Sequence, residues 1–557
     1  MKFLLNTVLV IICAGNLMAC GGGGSSTKII EPVVEPPIVP VPPPVIDHSG
    51  LTPLSADNIL PEEYLTGGAA TVFVDNKDAF GSRPTMITDN FKHDGFFTAG
   101  DHLFRTKHTD IGPLLNNPVC QNCHISDGRG QLPISPEQPM LSMLFKLGDE
   151  TGAADPIYGN QLQPFAVQSF DGGDINAGLP VHNGSINGNE LYGEAYPYVE
   201  YETISGQYAD GQSFELRTPI YKIRDLSFGP FTEQIRISPR LAPGVYGAGL
   251  LGAIPSENII ALVDENDTNG DGISGRASMV TSAISGETVL GRFAYKAQNP
   301  TVLQQIAGAY QGDMGITTSI FTKEPCEEHQ VSCHFVAEQE IKTADSTDVS
   351  DKELALVEFY SRVLGVPARR GYDATNKVWN DDIIKGRALF FAANCIGCHT
   401  PRHVTGEAAG SVLGELTLLS LEPDAQPIEL LSAQTIFPYT DLLLHDMGGS
   451  CAVTRETVEQ QSCSAGSECL YVQRCQGLAD DLIQGDASGT EWKTPALWGI
   501  GLVQTVNPNS TFLHDGRART IEEAILWHDG EALASKNNFM ELTESERLQL
   551  LAFVESL

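Results

Sequence analysis

Hydrophobic positions recur along this chain with the period of a helix. Leu354, Leu356, Val357, Phe359 and Tyr360 fall at that spacing within 351–364 and predict a helix packed against an interdomain core. The same period predicts a helix over 383–391, an amphipathic one over 521–528 and a terminal one over 543–556, where Thr543 and Glu546 stand at capping-box spacing. A Gly-x-x-Leu-Phe pattern occurs twice, at Gly100–Phe104 and Gly386–Phe390, and predicts one short helix used twice. Between these stretches, 172–291 is rich in Gly, Pro, Tyr and β-branched residues, as in Tyr198–Ile204, and reads as loops with a few short strands. The expected fold is mainly α, with a large loop and short-strand insertion in the first half and a boundary near 367–372.

The N-terminus adds an address. Met1-Lys2 and the apolar run Phe3–Met18 read as a signal peptide over 1–19. Its end, Leu17-Met18-Ala19-Cys20-Gly21, resembles a bacterial lipobox, which implies cleavage before Cys20 and lipidation of Cys20. With no Asp following, the implied place is the outer membrane, facing the periplasm. Residues 20–50, which include Pro42-Pro43-Pro44, predict an extended tether. No other stretch offers the ~20 apolar residues that cross a bilayer. Two domains are expected beyond the tether, over 51–366 and 367–557.

Charge and cysteines narrow the chemistry. A net charge of −36, from 34 Lys and Arg against 70 Asp and Glu, repels nucleic acid and favours a basic partner. Of 12 cysteines, four stand in Cys120-Gln121-Asn122-Cys123-His124 and Cys395-Ile396-Gly397-Cys398-His399. Each is Cys-x-x-Cys-His, the attachment signature of a c-type heme. Two thiols add to the two vinyl groups of one porphyrin, and His124 or His399 then lies under the iron as proximal ligand. Two covalently bound hemes c are expected, in two cytochrome c-like domains, each preceded by the Gly-x-x-Leu-Phe helix. Cys326 and Cys333 are spaced for a local disulfide. Cys451, Cys463, Cys469 and Cys475 suit two more, with the connectivity open and a zinc site as the alternative. Oxygen side chains at Asp267, Asn269 and Asp271, followed by Gly272, resemble part of a calcium loop. Ser278 stands where the twelfth-position Glu belongs, so a solvated acidic turn is the alternative.

Longer motifs carry a family resemblance. Ser238-Pro239-Arg240-Leu241-Ala242-Pro243, Gly247–Leu251, Asp271–Arg276, Gly291–Ala297, Glu491–Gly499 and Phe512–Ala518 resemble the di-heme oxidoreductases, a distant branch of the bacterial di-heme cytochrome c peroxidases. The resemblance implies that the His124 heme meets peroxide or another small oxidant. It also implies that the His399 heme takes electrons from a small periplasmic donor, a cytochrome c or cupredoxin. A non-enzymatic electron carrier and an oxidase that modifies a protein or organic substrate are the alternatives. The relatives use a methionine as sixth ligand in the region of Met447, with His445 as the competing choice. Arg129 and Arg517 are candidates for propionate partners, His514 for a heme edge, and Trp492 and Trp498 for electron transfer between hemes. Regional candidates for a distal acid or base are Glu202, Glu215, His182 and Arg217. One departure stands out: 131–147 holds no histidine to cap the first iron, only Met140 and Met143. His93, His102, His108 and Met314 are the more distant candidates for that position.

Overall fold

The computed structural model describes residues 61–108, 111–135, 138–166, 184–186, 189–191, 193–339, 347–408, 428–463 and 469–557. The leader, Cys20, the tether and His182 lie outside the described residues.

Each half is built on a pair of crossed helices. In chain order the helices that position the site are α1 (Phe91–Arg105), α2 (Val302–Met314), α3 (Asp351–Val363), α4 (Asp381–Ala392), α5 (Ile521–Leu526) and α6 (Glu544–Ser556). Polar caps start them: Asn90 accepts the N–H groups of Lys92 and His93 at α1, and Asn380 accepts that of Asp382 at α4. Capping boxes of Ser350 with Glu353 and of Thr543 with Glu546 open α3 and α6. Gly100 lets α1 lie against α3, because a Cβ there would sit 2.2 Å from the Leu356 carbonyl oxygen. Gly386 does the same for α4 on α6, where a Cβ would sit 1.9 Å from the Gln549 carbonyl oxygen. One turn on, Phe104 meets Tyr360 at 5.4 Å and Phe390 meets Phe553 at 5.2 Å between ring centroids. The repeated Gly-x-x-Leu-Phe is thus a helix-crossing device.

The mainly α expectation does not hold: the protein is 30% helical and 21% strand, with many small sheets. The strands that matter here are β1 (Met143–Gly148), β2 (Tyr196–Gln207), β3 (Ser213–Arg224), β4 (Arg236–Leu241), β5 (Leu444–Asp446), β6 (Ser450–Glu456), β7 (Leu470–Gln476) and β8 (Glu491–Lys493). β2 and β3 form one long antiparallel hairpin from Tyr196↔Arg224 to Gln207↔Ser213. β7 then adds to β3 with Tyr471 opposite Ile223, and β6 adds to β7, giving the order β6-β7-β3-β2. The insertion of the first half and the cysteine-rich segment of the second therefore share a sheet. Strands rich in Tyr, Ile and Val need a ladder partner, and here it comes from far along the chain, where no local window reveals it. Cys451 and Cys475 face each other across β6 and β7 and are joined, as are Cys463 with Cys469 and Cys326 with Cys333. The four cysteines of 451–475 are thus used as two bridges.

A buried ion group ties the N-terminal segment to the second half. Glu63 accepts from Arg369 at 2.7 Å and from Arg387 of α4 at 2.8 Å, and all three side chains are 1% exposed. Two apolar clusters flank this region. One holds Phe97, Phe104, Tyr360 and Trp498, and the other Phe390, Tyr439, Trp527 and Phe553.

The helix crossings give a test on one element. Gly100→Ala is expected to lower stability by about 2–3 kcal/mol, since the helices must part to admit the methyl group. Gly95→Ala on the same helix, where a Cβ meets nothing within 4 Å, is expected to raise it by about 0.5–1 kcal/mol. Thermal unfolding midpoints of the two variants check the ordering; equal midpoints would refute the close-crossing account.

Candidate functional site

The first motif is a single helical turn, Cys120–Cys123, with His124 at its C-terminus donating its backbone N–H to the Cys120 carbonyl at 2.9 Å. The His124 ring donates from Nδ1 to the Pro243 carbonyl at 2.6 Å, which turns Nε2 away from the backbone. β4 puts that carbonyl in place. It pairs with β1 from Arg236↔Gly148 to Leu241↔Met143, and the Ala242 N–H continues the contact to the Ser142 carbonyl. Met140 and Met143 lie buried in the core beneath this sheet. Burial lowers the His124 pKa and pushes the Cys120 thiol up to about 12. The ring is a neutral imidazole and the thiols are uncharged.

A polar wall stands beside this turn, and it was not legible in the sequence. Asp313, near the end of α2, accepts from Gln161 Nε2 at 2.8 Å, and Lys146 of β1 donates to Gln161 Oε1. The same Gln161 amide donates to Asn116 Oδ1 at 2.8 Å. Burial raises the Asp313 pKa, and its charge reaches Cys120, Cys123 and His124.

The second motif repeats the geometry with other partners. His399 donates from Nδ1 to the Tyr439 carbonyl at 3.0 Å, and burial lowers its pKa to about 4. Thr440 N–H donates to the Thr400 carbonyl at 2.9 Å and Asp441 N–H to the Cys398 carbonyl at 3.1 Å, which clip the 439–441 loop onto the motif. Tyr439 itself sits at φ 54, a left-handed conformation that is costly for an aromatic residue. That backbone twist is how its carbonyl is aimed at the imidazole.

Of the two choices for a sixth ligand here, His445 is occupied. Its Nε2 bonds Asp441 at 2.8 Å and its Nδ1 bonds Glu531 at 2.7 Å. Burial is the largest single influence and opposes its charge, but Asp441 and Cys398, by charge and by hydrogen bonding, together hold the ring well above its ordinary pKa. It is a clamped imidazolium with no lone pair to give a metal. Met447 is half-buried and packs in the same cluster as Cys395 and Ile396.

A packed column links the two turns. Tyr295 donates to the Leu241 carbonyl at 2.8 Å, two residues before the acceptor of His124. Its ring lies 6.5 Å from Trp492, which stacks on His514 at 3.8 Å. Trp492 is paired across β8 and β5 with His445, whose Nδ1 is 3.5 Å from Cys398 Sγ. Arg240 and Lys296 cap the indole at 4.6 and 4.8 Å and share Asp480. Trp498 is buried elsewhere, with its carbonyl bonded to Tyr246.

Other expected site residues are not gathered here. Glu202 and Glu215 are exposed on the β2–β3 hairpin, and Arg217 donates to the Gly516 and Arg517 carbonyls. Arg129 is bound to the Thr511 and Leu513 carbonyls, and Arg517 to Asp515 and the Gly477 carbonyl. His93 lies against Phe359, His102 beside Thr106 and His108 against Tyr310, while Met314 is in the core. Asp267, Asn269 and Asp271 form one turn in which each side chain accepts a backbone N–H or lies beside one that does. Among the described residues no group of three or more His, Cys, Asp or Glu converges as a metal site.

The donor set fits heme. All four motif cysteines are unpaired, and they and both histidines stay half-exposed among largely buried neighbours. Each neutral imidazole has Nδ1–H fixed by a carbonyl and Nε2 left for iron, the arrangement that metal-bound histidines require. A family described as "Di-haem oxidoreductase, putative peroxidase" matches residues 82–463 and 456–557. No curated protein matches the chain. Among solved structures the chain is similar to hydrazine synthase of Kuenenia stuttgartiensis at 12% identity, over 91% of this chain and 95% of that one, with a TM-score of 0.30. That score is too low to bear on function. On the family match, which spans most of its length, the chain belongs to the di-haem oxidoreductases and has heme as its cofactor.

Proposed function

We propose that both hemes are covalently attached c-type groups and that the protein is a peroxidase-like oxidoreductase. Electrons pass from a small redox donor through the His399 heme to the His124 heme, where peroxide or another small oxidant is reduced. The observation that carries this is the inequality of the two surroundings. Beside His124 stands a carboxyl group whose pKa burial has raised, held by the Gln161 amide, whose oxygen in turn accepts from Lys146. Beside His399 the nearby carboxylates Asp441 and Glu531 are tied up by a protonated His445.

The hemes, when bound, supply one-electron redox chemistry and a place for the oxidant. The chain supplies the rest. Asp313 holds a proton for an oxidant oxygen, and Gln161 orients its carboxyl group. The Tyr295–Trp492–His514 column gives a packed aromatic connection between the two sites. The acidity of the chain, −36 overall, favours a basic donor such as a small cytochrome c or cupredoxin. The Leu17–Gly21 pattern supports lipid anchoring at Cys20 in the cell envelope, facing the periplasm.

Intact mass of the protein from a host that matures c-type cytochromes is expected to exceed the polypeptide by two tetrapyrroles. Replacing both Cys395 and Cys398 by Ser is expected to remove one of them; retention of both adducts would refute thioether attachment there. In peroxide turnover with a reduced cytochrome donor, Asp313→Asn is expected to lower the rate by about 10²–10³-fold. The acid form of Asp313 persists to higher pH than that of an ordinary carboxyl group. Wild-type turnover should therefore fall as pH rises through that raised pKa, and this limb should vanish in Asp313→Asn. No turnover in any redox state would favour an electron carrier instead.

A further inference from the structure

His528 follows α5 and was not singled out by any sequence pattern. Its backbone N–H closes the helix on the Ile525 carbonyl at 3.1 Å, and its ring donates from Nδ1 to the Ala524 carbonyl at 2.7 Å. The second bond repeats what Pro243 does for His124 and Tyr439 does for His399. Nε2 of His528 has no hydrogen-bond partner among the described residues. Trp527, immediately before it, is buried under the Arg517 guanidinium at 4.7 Å, which fixes the end of the helix. Yet His528 itself is only half-buried, as are Cys395, Cys398 and His399. The helix before it packs through Leu526 and Trp527 into the same apolar cluster as Cys395 and Ile396, and Glu531, three residues on, bonds His445 of the second site at 2.7 Å. Two neutral imidazoles with fixed Nδ1–H groups therefore share the surroundings of the second motif.

The geometry points to His528 as the sixth ligand of the second heme, opposite His399. This rests on the heme reading proposed above and displaces Met447 from the ligand position. Three facts separate the candidates. His445 has both nitrogens committed to carboxylates. Met447 follows β5 directly, and its backbone N–H is held by the Thr490 carbonyl at 3.0 Å, while its thioether packs in the apolar cluster with no hydrogen-bond partner among the described residues. His528 alone has a free ring nitrogen and a carbonyl that sets the orientation of its ring. Two imidazoles also make a weaker oxidant of the iron than imidazole with thioether, since a methionine ligand raises the potential. A low potential suits a heme that must hand its electron onward to another site.

The test is spectroscopic and uses the full-length protein with its hemes. The oxidised wild type is expected to lack the long-wavelength sulfur-to-iron absorption band, and Met447→Leu to leave the low-spin signal of the second heme unchanged. His528→Ala is expected to convert one heme to a high-spin, cyanide-binding form that added imidazole returns to low spin. His528→Met, a second variant that keeps a ligand in place, is expected to create the sulfur band and raise the potential of that heme. A sulfur band in the wild type that disappears in Met447→Leu would overturn the assignment. So would an unaltered low-spin spectrum in His528→Ala that still carries both adducts by mass. Protein without any tetrapyrrole adduct would bring down the covalent-heme proposal and this assignment with it, an outcome distinct from the other two.

Discussion

A carbonyl oxygen accepting the Nδ1–H of a histidine is the contact on which the rest of this structure depends. An imidazole presents a lone pair to a metal in a defined direction only if its other nitrogen is held. Pro243 provides that hold for His124 and Tyr439 for His399. Both carbonyls belong to segments whose own positions must be secured. Pro243 follows β4, which lies on β1 and is fixed from the other side by Arg240 on Asp480. Tyr439 adopts a left-handed backbone, and the next two residues, Thr440 and Asp441, clip its loop to Thr400 and Cys398 on either side of the histidine it serves. Much of the polar architecture of the core reads as support for these two oxygen atoms.

The two halves share a plan and differ in what surrounds it. A glycine admits a close helix crossing, a phenylalanine one turn later reaches the motif histidine, and the crossing partner begins on a capping box. Phe104 lies 6.1 Å from His124 and Phe390 lies 6.3 Å from His399. Beyond this shared frame the halves diverge. The first motif has an amide and a carboxyl group of raised pKa beside it, which favours proton exchange. The second has carboxylates locked by an imidazolium, which favours a fixed charge. The two sites are therefore unequal, and the inequality is electrostatic.

Buried charge is used for placement. Glu63 with Arg369 and Arg387, Asp480 with Arg240 and Lys296, and Asp441 and Glu531 with His445 each join segments distant in sequence. Groups of this kind rarely add much stability, since desolvation offsets the attraction, but losing one partner is costly. They discriminate strongly against a misplaced segment, and that is the service they render around the two motifs and the Trp492 column.

The amino-acid sequence by itself determined what short-range spacing can carry. That includes the two Cys-x-x-Cys-His turns, the helices that precede them, the capping boxes, the Cys326–Cys333 bridge and the family to which these belong. Each of these features rests on residues a few positions apart, whose geometry a helix or tight turn dictates. Tertiary structure alone decided the rest. The four-stranded sheet draws strands from both halves, so the mainly α expectation failed where strand partners lay far apart. Asp313 and His528 carry no local signature, because an aspartate at a helix end or a histidine just beyond one is ordinary until the fold sets it beside a thiol or another imidazole. The acceptors of the two motif histidines stand 119 and 40 residues away, and only the path of the folded chain brings an oxygen atom across such a distance to a chosen nitrogen.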